Sequence, residues 1–364
     1  MKWQCDRCGF IWNFFVDTCI KCNTKTKEYT PRNFTVRGIT EVFSRSEEHN
    51  EVPYYVLLLE DKNGKLFLRK SFQKYEIEQD IIESQTVKYG LPLIGIVGTG
   101  ITATGIAQVA LLSGCKVILR GRSESSLYSA ISKIEKFLSK RFSSDKFQNI
   151  MSQLTTTTEI SQLSNVDIVI EAIIENLDKK RLIFRELDSL CDKHTILATN
   201  TSSLSVDEIS KATDYPNRVI GMHFFNPIPK MRLVEIVHGS MTDQMVIEAT
   251  KKVALALNKF PVIVKNSAGF IVNRLLMTFL SEAVEVLEEN LATRDDIDKA
   301  IEMGLNHPMG PLKLLDLIGL DVFSSIMQNL HNYNPQKFNL SGMVKEMVSK
   351  EKLGRKTGEG FYKY

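Results

Sequence analysis

The string GMHFFNPIPKMRLVEIV places His223 twelve residues before Glu235. Histidine, with an ordinary pKa of about 6.5, is the side chain best suited to exchange a proton near neutrality. A carboxylate beside it can orient the ring and support the charge that forms on it. Ser202, in NTSSLS, and Asn226, in HFFNP, stand like His223 just past the ends of predicted strands. In an open α/β sheet, ligands sit beyond those carboxyl ends. A histidine before two phenylalanines is more often a packed core residue, and a lone glutamate more often a surface charge. Their place at the strand ends favours acid–base chemistry.

A second constellation is Gly98-x-Gly100-x-x-Ala103, between the apolar run LPLIGIV and the helical stretch ITATGIAQVALLSG. Gly98 permits a tight turn, Gly100 lets backbone amides approach a pyrophosphate, and Ala103 allows close helix–strand packing. The helix N-terminus favours phosphate charge. Strand, turn and helix in this order predict a dinucleotide site. The next strand, KVILR, ends in Arg120-Gly121-Arg122-Ser123. An acidic residue at that place bonds the ribose hydroxyls of NAD, whereas arginine and serine would hold a 2′-phosphate. The expected cofactor is therefore NADP(H) before NAD(H).

A third constellation is Cys5-x-x-Cys8 followed by Cys19-x-x-Cys22. Paired knuckles of this spacing supply four thiolates to a tetrahedral zinc, and four thiolates leave no open position, so the metal is expected to be structural. Clustered pairs in a cytoplasmic chain favour metal over disulfides. The other two, Cys115 and Cys191, sit in apolar surroundings and read as buried thiols.

The elements that must position these groups follow from the pattern along the chain. FTVRGITEVF, YYVLLLE and KLFLRK are β-rich, DKNG reads as a hairpin turn, and DIIESQTVKY as one more strand. Together they predict a small barrel. Strand–helix alternation from residue 91 through VDIVIEAI, HTILAT, RVIGMHF and PVIVKN predicts a doubly wound parallel sheet. After Lys265 the pattern turns helical, over Gly269 to Leu291, 294–304, 311–330 and 340–350.

The bulk numbers exclude some classes. The chain has 364 residues and a net charge of +3, which is long enough for several domains and too neutral for a nucleic-acid or anionic-membrane surface. Residues 1–90 carry 14 Lys and Arg against 13 Asp and Glu, so the ribbon has no basic footprint. No apolar run is long enough to span a bilayer and no signal peptide is evident. The expected location is cytoplasmic.

From residue 91 to 364 the chain resembles the 3-hydroxyacyl-CoA dehydrogenase family, through GIVGTGITATGIAQ, EAIIENLDKK, ATNTSSL, HFFNPIPKMRLVEIV, GFIVNR, HPMGPLKLLD and GRKTGEGFYKY. The resemblance implies that His223 is the catalytic histidine and Glu235 its partner. It implies that Ser202 and Asn273 bond the substrate oxygen, and that Glu175, Lys180, Asn226 and Lys356 contact the cofactor. It also implies a homodimer formed through the helical domain. The chain departs from the family pattern at three places. Ala103 replaces a glycine of the phosphate turn, and Gly121 stands where the ribose-binding aspartate would be. Phe137 and Ser144 replace the CoA-contacting serine and lysine, with Lys136, Lys140, Arg141 and Lys146 nearby. An acyl carrier protein in place of CoA is the alternative carrier. Residues 1–88 resemble the zinc-ribbon/OB-fold modules that accompany thiolases and hydroxymethylglutaryl-CoA synthase homologues, which implies acyl-CoA binding or docking to a partner of that type.

The expected architecture is multidomain: a zinc ribbon at 1–33, an OB-like β-barrel at 34–90, an α/β Rossmann domain at 91–266 and an all-α C-terminal domain at 267–364. The expected reaction is reversible hydride transfer between NADP(H) and a 3-hydroxyacyl or 3-oxoacyl thioester, in the reductive, biosynthetic direction. The competing readings are an acyl-CoA-binding scaffold with an inactive dehydrogenase domain, and a nucleic-acid-binding protein acting through the ribbon and barrel.

Overall fold

The computed structural model describes residues 91–364 throughout and, before them, seven strands and Ile77. The chain divides into two compact units, Met1–Gly90 and Leu91–Tyr364.

In the first unit β1 (Trp3–Cys5), β2 (Ile11–Trp12) and β3 (Thr26–Glu28) form an antiparallel sheet in the order β2-β1-β3. A second antiparallel sheet, in the order β6-β5-β4-β7, is built from β4 (Asn33–Val42), β5 (Tyr54–Asp61), β6 (Leu66–Ser71) and β7 (Asp80–Ile82). A register shift interrupts β4 between Val36 and Gly38, the signature of a bulge, which adds local twist. Of the expected zinc ligands, Cys8, Cys19 and Cys22 lie outside the described residues, and only the backbone of Cys5 is described, in β1. The centre of the DKNG turn and the stretch after Ile82 lie outside them as well.

The second unit is organised by an eight-stranded sheet. Its strands are β8 (Leu93–Val97), β9 (Lys116–Arg120), β10 (Leu154–Thr157), β11 (Ile168–Glu171), β12 (Ile196–Thr199), β13 (Val219–Phe224), β14 (Leu233–His238) and β15 (Phe260–Lys265). Their order is β10-β9-β8-β11-β12-β13-β14-β15. The sequence order reverses between β8 and β11, which opens a crevice at their carboxyl ends. Apolar β-branched runs such as IVIE in β11 are buried on both faces, as parallel strands covered by helices on both sides require. Ile168 and Ile170 enter one core cluster and Val169 the other, one on each side of the sheet.

The sheet corrects the expectation of a wholly parallel arrangement: β14 runs antiparallel to β13. Only residues 225–232 connect them, and a parallel neighbour needs a crossover of a dozen residues or more. Two strands, β10 and β14, also stand beyond the expected set. β10 is the short, threonine-rich LTTT, which lacks the apolar run of the others.

The sheet is flanked by α1 (Ile101–Leu112), α2 (Glu124–Ser139), α3 (Ser144–Met151), α4 (Leu177–Leu190), α5 (Val206–Ser210) and α6 (Gln244–Ala256). Beyond β15 come α7 (Val272–Glu288), α8 (Arg294–Gly304), α9 (Pro311–Ile318), α10 (Leu320–Tyr333) and α11 (Gly342–Ser349), around a core of their own that includes Leu280, Leu312 and Phe323. The helical stretch expected at 311–330 is two helices. Gly319, at φ +97°, breaks it, a backbone conformation that glycine adopts without a Cβ penalty. Among the described residues no helix is long and apolar enough to cross a membrane.

Candidate active site

The glycine turn at the end of β8 faces the crevice. Gly98 has φ +129°, and a Cβ there would lie 2.4 Å from the Ala172 carbonyl oxygen at the end of β11. Only glycine lets the two strand ends approach so closely. Gly100 is the N-cap of α1, which has no side-chain cap, and a Cβ on Gly100 would meet nothing within 4 Å. The first-turn amides of α1 are thus open to an anion, as a pyrophosphate cradle requires. Ala103 is fully buried behind the turn, and the bare Gly98 backbone packs over it.

The turn opens into a cavity of about 1440 Å³. Its wall includes Gly98, Gly100, Arg120 and Arg122 on one side and Ser202, His223, Asn226 and Asn273 on the other, with Glu175 between them. Apolar side chains from α7, α9 and α10, among them Leu276, Leu314 and Ile326, complete it. A polar end and an apolar end in one cavity suit a ligand with a polar reacting centre and an aliphatic tail.

His223 and Glu235 are directly opposite residues of the β13–β14 pair. His223 is 4% exposed and Glu235 1%. The His223 Nδ1 lies 2.8 Å from Glu235 Oε2. The other carboxylate oxygen accepts from the Ile271 and Val272 amides at 3.0 and 2.9 Å, at the start of α7, where the helix dipole favours negative charge. The ring packs against Phe225 and Phe270, with centroids 4.5 and 5.6 Å away. A carboxylate on Nδ1 fixes the proton there and leaves Nε2 to exchange one with a ligand.

Asn273, in the first turn of α7, donates from Nδ2 to the Ser202 carbonyl oxygen at 3.1 Å. The Ser202 amide donates to Glu175 Oε1 at 2.9 Å. Neither bond uses the Ser202 hydroxyl, which leaves it for a ligand. Glu175 Oε1 also accepts from Thr201 Oγ1 at 2.6 Å and the Ser203 amide at 3.0 Å. Burial pushes the Glu175 carboxyl up, but the Lys180 ammonium and the donors from Thr201, Ser202 and Ser203 outweigh it and hold it below its usual range.

Some expected site residues stand behind the wall. Lys180 is 1% exposed and its Nζ reaches Glu171 at 2.7 Å and Glu175 at 3.4 Å. Lys356 is paired with Asp321, a residue of the cavity wall. Ser123 is the N-cap of α2, accepting from the Ser126 amide at 3.3 Å. It is Ser126 that faces the cavity. Arg120 donates to the Thr158 carbonyl oxygen at 3.2 Å, while Arg122 is exposed at the cavity mouth. A Cβ on Gly121 would fall 2.6 Å from Leu127 Cγ, so this position has no room for a side chain while Leu127 keeps its place.

Three residues outside the expected set support the site. Asn200 Oδ1 accepts from the Phe224 amide at 2.9 Å, tying the end of β12 to the residue after His223. Lys259 Nζ donates to the carbonyls of Ile228 and Met231 at 2.6 and 2.7 Å and pins the connection that carries Asn226. Glu171 is fully buried beneath Lys180. Asn200 is the first residue of the NTSSLS string, at a strand end, and could have been picked out; an isolated Lys259 in NKFPV gives no such signal.

A glycine turn at a topological switch point, a buried His–Glu pair and a cavity joining them define a nicotinamide-dependent oxidoreductase of the Rossmann type. The family described as 3-hydroxyacyl-CoA dehydrogenase matches the chain twice, its NAD binding domain over residues 93–267 and its C-terminal domain over residues 269–364. A 3-hydroxybutyryl-CoA dehydrogenase of Clostridioides difficile is 40% identical over 277 residues, which cover 74% of this chain and 99% of that protein. The mitochondrial hydroxyacyl-coenzyme A dehydrogenase of Rattus norvegicus is 41% identical over 74% of this chain and 90% of that protein. The crystal structure of (S)-3-hydroxybutyryl-CoA dehydrogenase from Ralstonia eutropha is similar with a TM-score of 0.73 and 36% identity, covering 76% of this chain and 99% of that one. The chain belongs to the 3-hydroxyacyl-CoA dehydrogenase family and is an oxidoreductase of that type.

Proposed function

We propose that the chain reduces the 3-oxo group of an acyl-CoA thioester with NADPH, in the biosynthetic direction. The observation that carries the chemistry is the His223–Glu235 pair, buried behind a cavity that begins at the Gly98–Gly100 turn. A bound nicotinamide supplies the hydride to C3. His223 Nε2 gives a proton to the C3 oxygen, and takes it back in the reverse direction. Glu235, held by two amides of α7, keeps the ring in one tautomer and balances its charge. Ser202 and Asn273 hold the C3 oxygen from the other side. Gly98, Gly100 and Ala103 form the pyrophosphate cradle, and Glu175 and Asn226 line the path between it and His223.

The preference for NADPH is supported by Arg122 at the cavity mouth and by the lack of space for an acidic side chain at Gly121. Arginine presents a fork of donors that matches a phosphate. The exposed Lys136, Lys140, Arg141 and Lys146 around the α2–α3 junction suit the phosphates of CoA or the acidic surface of a carrier protein. We assign the first ninety residues to a zinc-ribbon and OB-type module that binds acyl-CoA or docks a thiolase- or synthase-type partner. We assign the chain to the cytoplasm as a homodimer. Turnover of acetoacetyl-CoA, measured with NADPH and with NADH, tests the function. Absence of turnover with both would overturn it.

A further inference from the structure

Glu171, the last residue of β11, is a fully buried carboxylate that lines no part of the cavity. Both of its oxygens are engaged. Oε1 accepts from the Ile173 amide and from Lys180 Nζ, each at 2.7 Å. Oε2 accepts from Thr199 Oγ1 at 2.7 Å. Two routes lead from these bonds to one turn. Through Lys180 the network reaches Glu175, whose Oε1 gathers Thr201 Oγ1 and the amides of Ser202 and Ser203. Through Thr199, whose hydroxyl oxygen also accepts from the Thr201 amide at 3.2 Å, it reaches the start of the same turn. The turn presents Ser202, and its carbonyl holds Asn273.

We propose that Glu171 is a positioning residue that sets the Thr201–Ser203 turn, and with it Ser202 and Asn273, against the substrate oxygen. Burying a carboxylate is costly unless it is paired and fully hydrogen-bonded. A fold that needed only a filled core would place an apolar residue at the end of β11. Here the carboxylate joins two partners that lie 28 and 9 residues away along the chain and meet again at the turn. Because interiors are closely packed, loss of this bridge moves the turn as a unit, and a displacement of about 1 Å at a reacting group costs about 10²-fold in rate.

The proposal rests on the assignment of Ser202 to the substrate oxygen, so the test is a double-mutant cycle. Glu171→Gln and Ser202→Ala are each made alone and together, and kcat/KM is measured with acetoacetyl-CoA. Glu171→Gln is expected to lower kcat/KM about 10- to 100-fold, and to add little further loss once Ser202 is alanine. The limb of the pH–rate profile that reports His223 should stay where it is. Losses that multiply would show that Glu171 acts elsewhere or only on stability, and would overturn the proposal while leaving the Ser202 assignment intact. An inactive role for Ser202, seen as unchanged turnover of Ser202→Ala, would overturn both. Thr199→Val removes one route with little change of shape and is expected to show the same non-additivity with Ser202→Ala. It decides the matter if Glu171→Gln does not fold.

Discussion

Glu235 stands directly across the β13–β14 pair from His223, and one of its oxygens meets Nδ1 at 2.8 Å while the other is held by the Ile271 and Val272 amides. Strand register and a helix start thus converge on one carboxylate. His223→Gln should lower kcat by about 10²–10⁴ while substrate still binds. Glu235→Gln should fall in the same range, since an amide opposite Nδ1 no longer fixes the tautomer. Steady-state rates with acetoacetyl-CoA, alongside binding by calorimetry, check both. A His223→Gln variant with near-normal kcat would remove it from the chemistry.

Cofactor choice should follow Arg122. One charge-assisted contact to a 2′-phosphate contributes about 1.5–3 kcal/mol, which is a preference of about tenfold or more. Arg122→Ala should raise the KM for NADPH far more than that for NADH. Arg120, already bonded to the Thr158 carbonyl, should matter less. Equal kcat/KM for the two cofactors in the unaltered enzyme would refute this assignment.

Gly121→Asp should destabilise the protein. Its Cβ would fall 2.6 Å from Leu127 Cγ and 2.8 Å from Leu127 Cδ2, in a core where overpacking costs about 1–3 kcal/mol. Thermal unfolding without cofactor measures this, and an unchanged Tm would show that Leu127 yields freely.

The Glu175 carboxyl is held below its ordinary value of 4.5. A depressed folded-state pKa contributes stability that is present above 4.5 and is lost as pH falls through the lower folded value. The Tm gap between the unaltered protein and Glu175→Gln should therefore be steady near neutrality and shrink on acidification below 4.5. A gap that widens in acid would contradict the pairing with Lys180.

The first unit, Met1–Gly90, is compact by itself, and the zinc proposed for it should have no part in catalysis. Elemental analysis should find zinc at one atom per chain, held by Cys5, Cys8, Cys19 and Cys22, because four thiolates close the coordination sphere. A chain lacking residues 1–88 should keep dehydrogenase activity on a small CoA thioester. Absence of zinc, or an inactive but folded truncation, would each count against this arrangement.

The sheet and the glycine turn were legible because period, turn residues and buried β-branched runs all act locally. LPLIGIVG followed by a helical stretch admits few structures. The antiparallel β14 was harder: LVEIVH is not among the expected strands, and its direction follows only from the shortness of the 225–232 connection. Ser202 and Asn226 stand past strand ends as expected, whereas His223, expected there too, is the fifth residue of β13. Glu171 looks in sequence like an acidic strand residue, and for Lys180 the resemblance implies a cofactor contact. Their burial against each other arises from tertiary packing of α4 on β11 and β12, which no local pattern encodes. Ser123 shows the opposite ambiguity, since the same residue type serves a phosphate and a helix cap, and here it caps α2.

The reversal of direction at β14 has a consequence for protein engineering. The histidine and its carboxylate are adjacent because two six-residue strands are paired in register, and the carboxylate is fixed by the amides at the start of α7, beyond α6 and β15 in the chain. No long loop is needed to bring them together. The two side chains of the proton-transfer pair thus sit on one short antiparallel strand pair, and a graft onto another sheet would have to supply separately the helix start that holds the carboxylate. A one-residue slip in either strand would turn one partner to the opposite face, so such a graft must keep the strand register as well as the helix start.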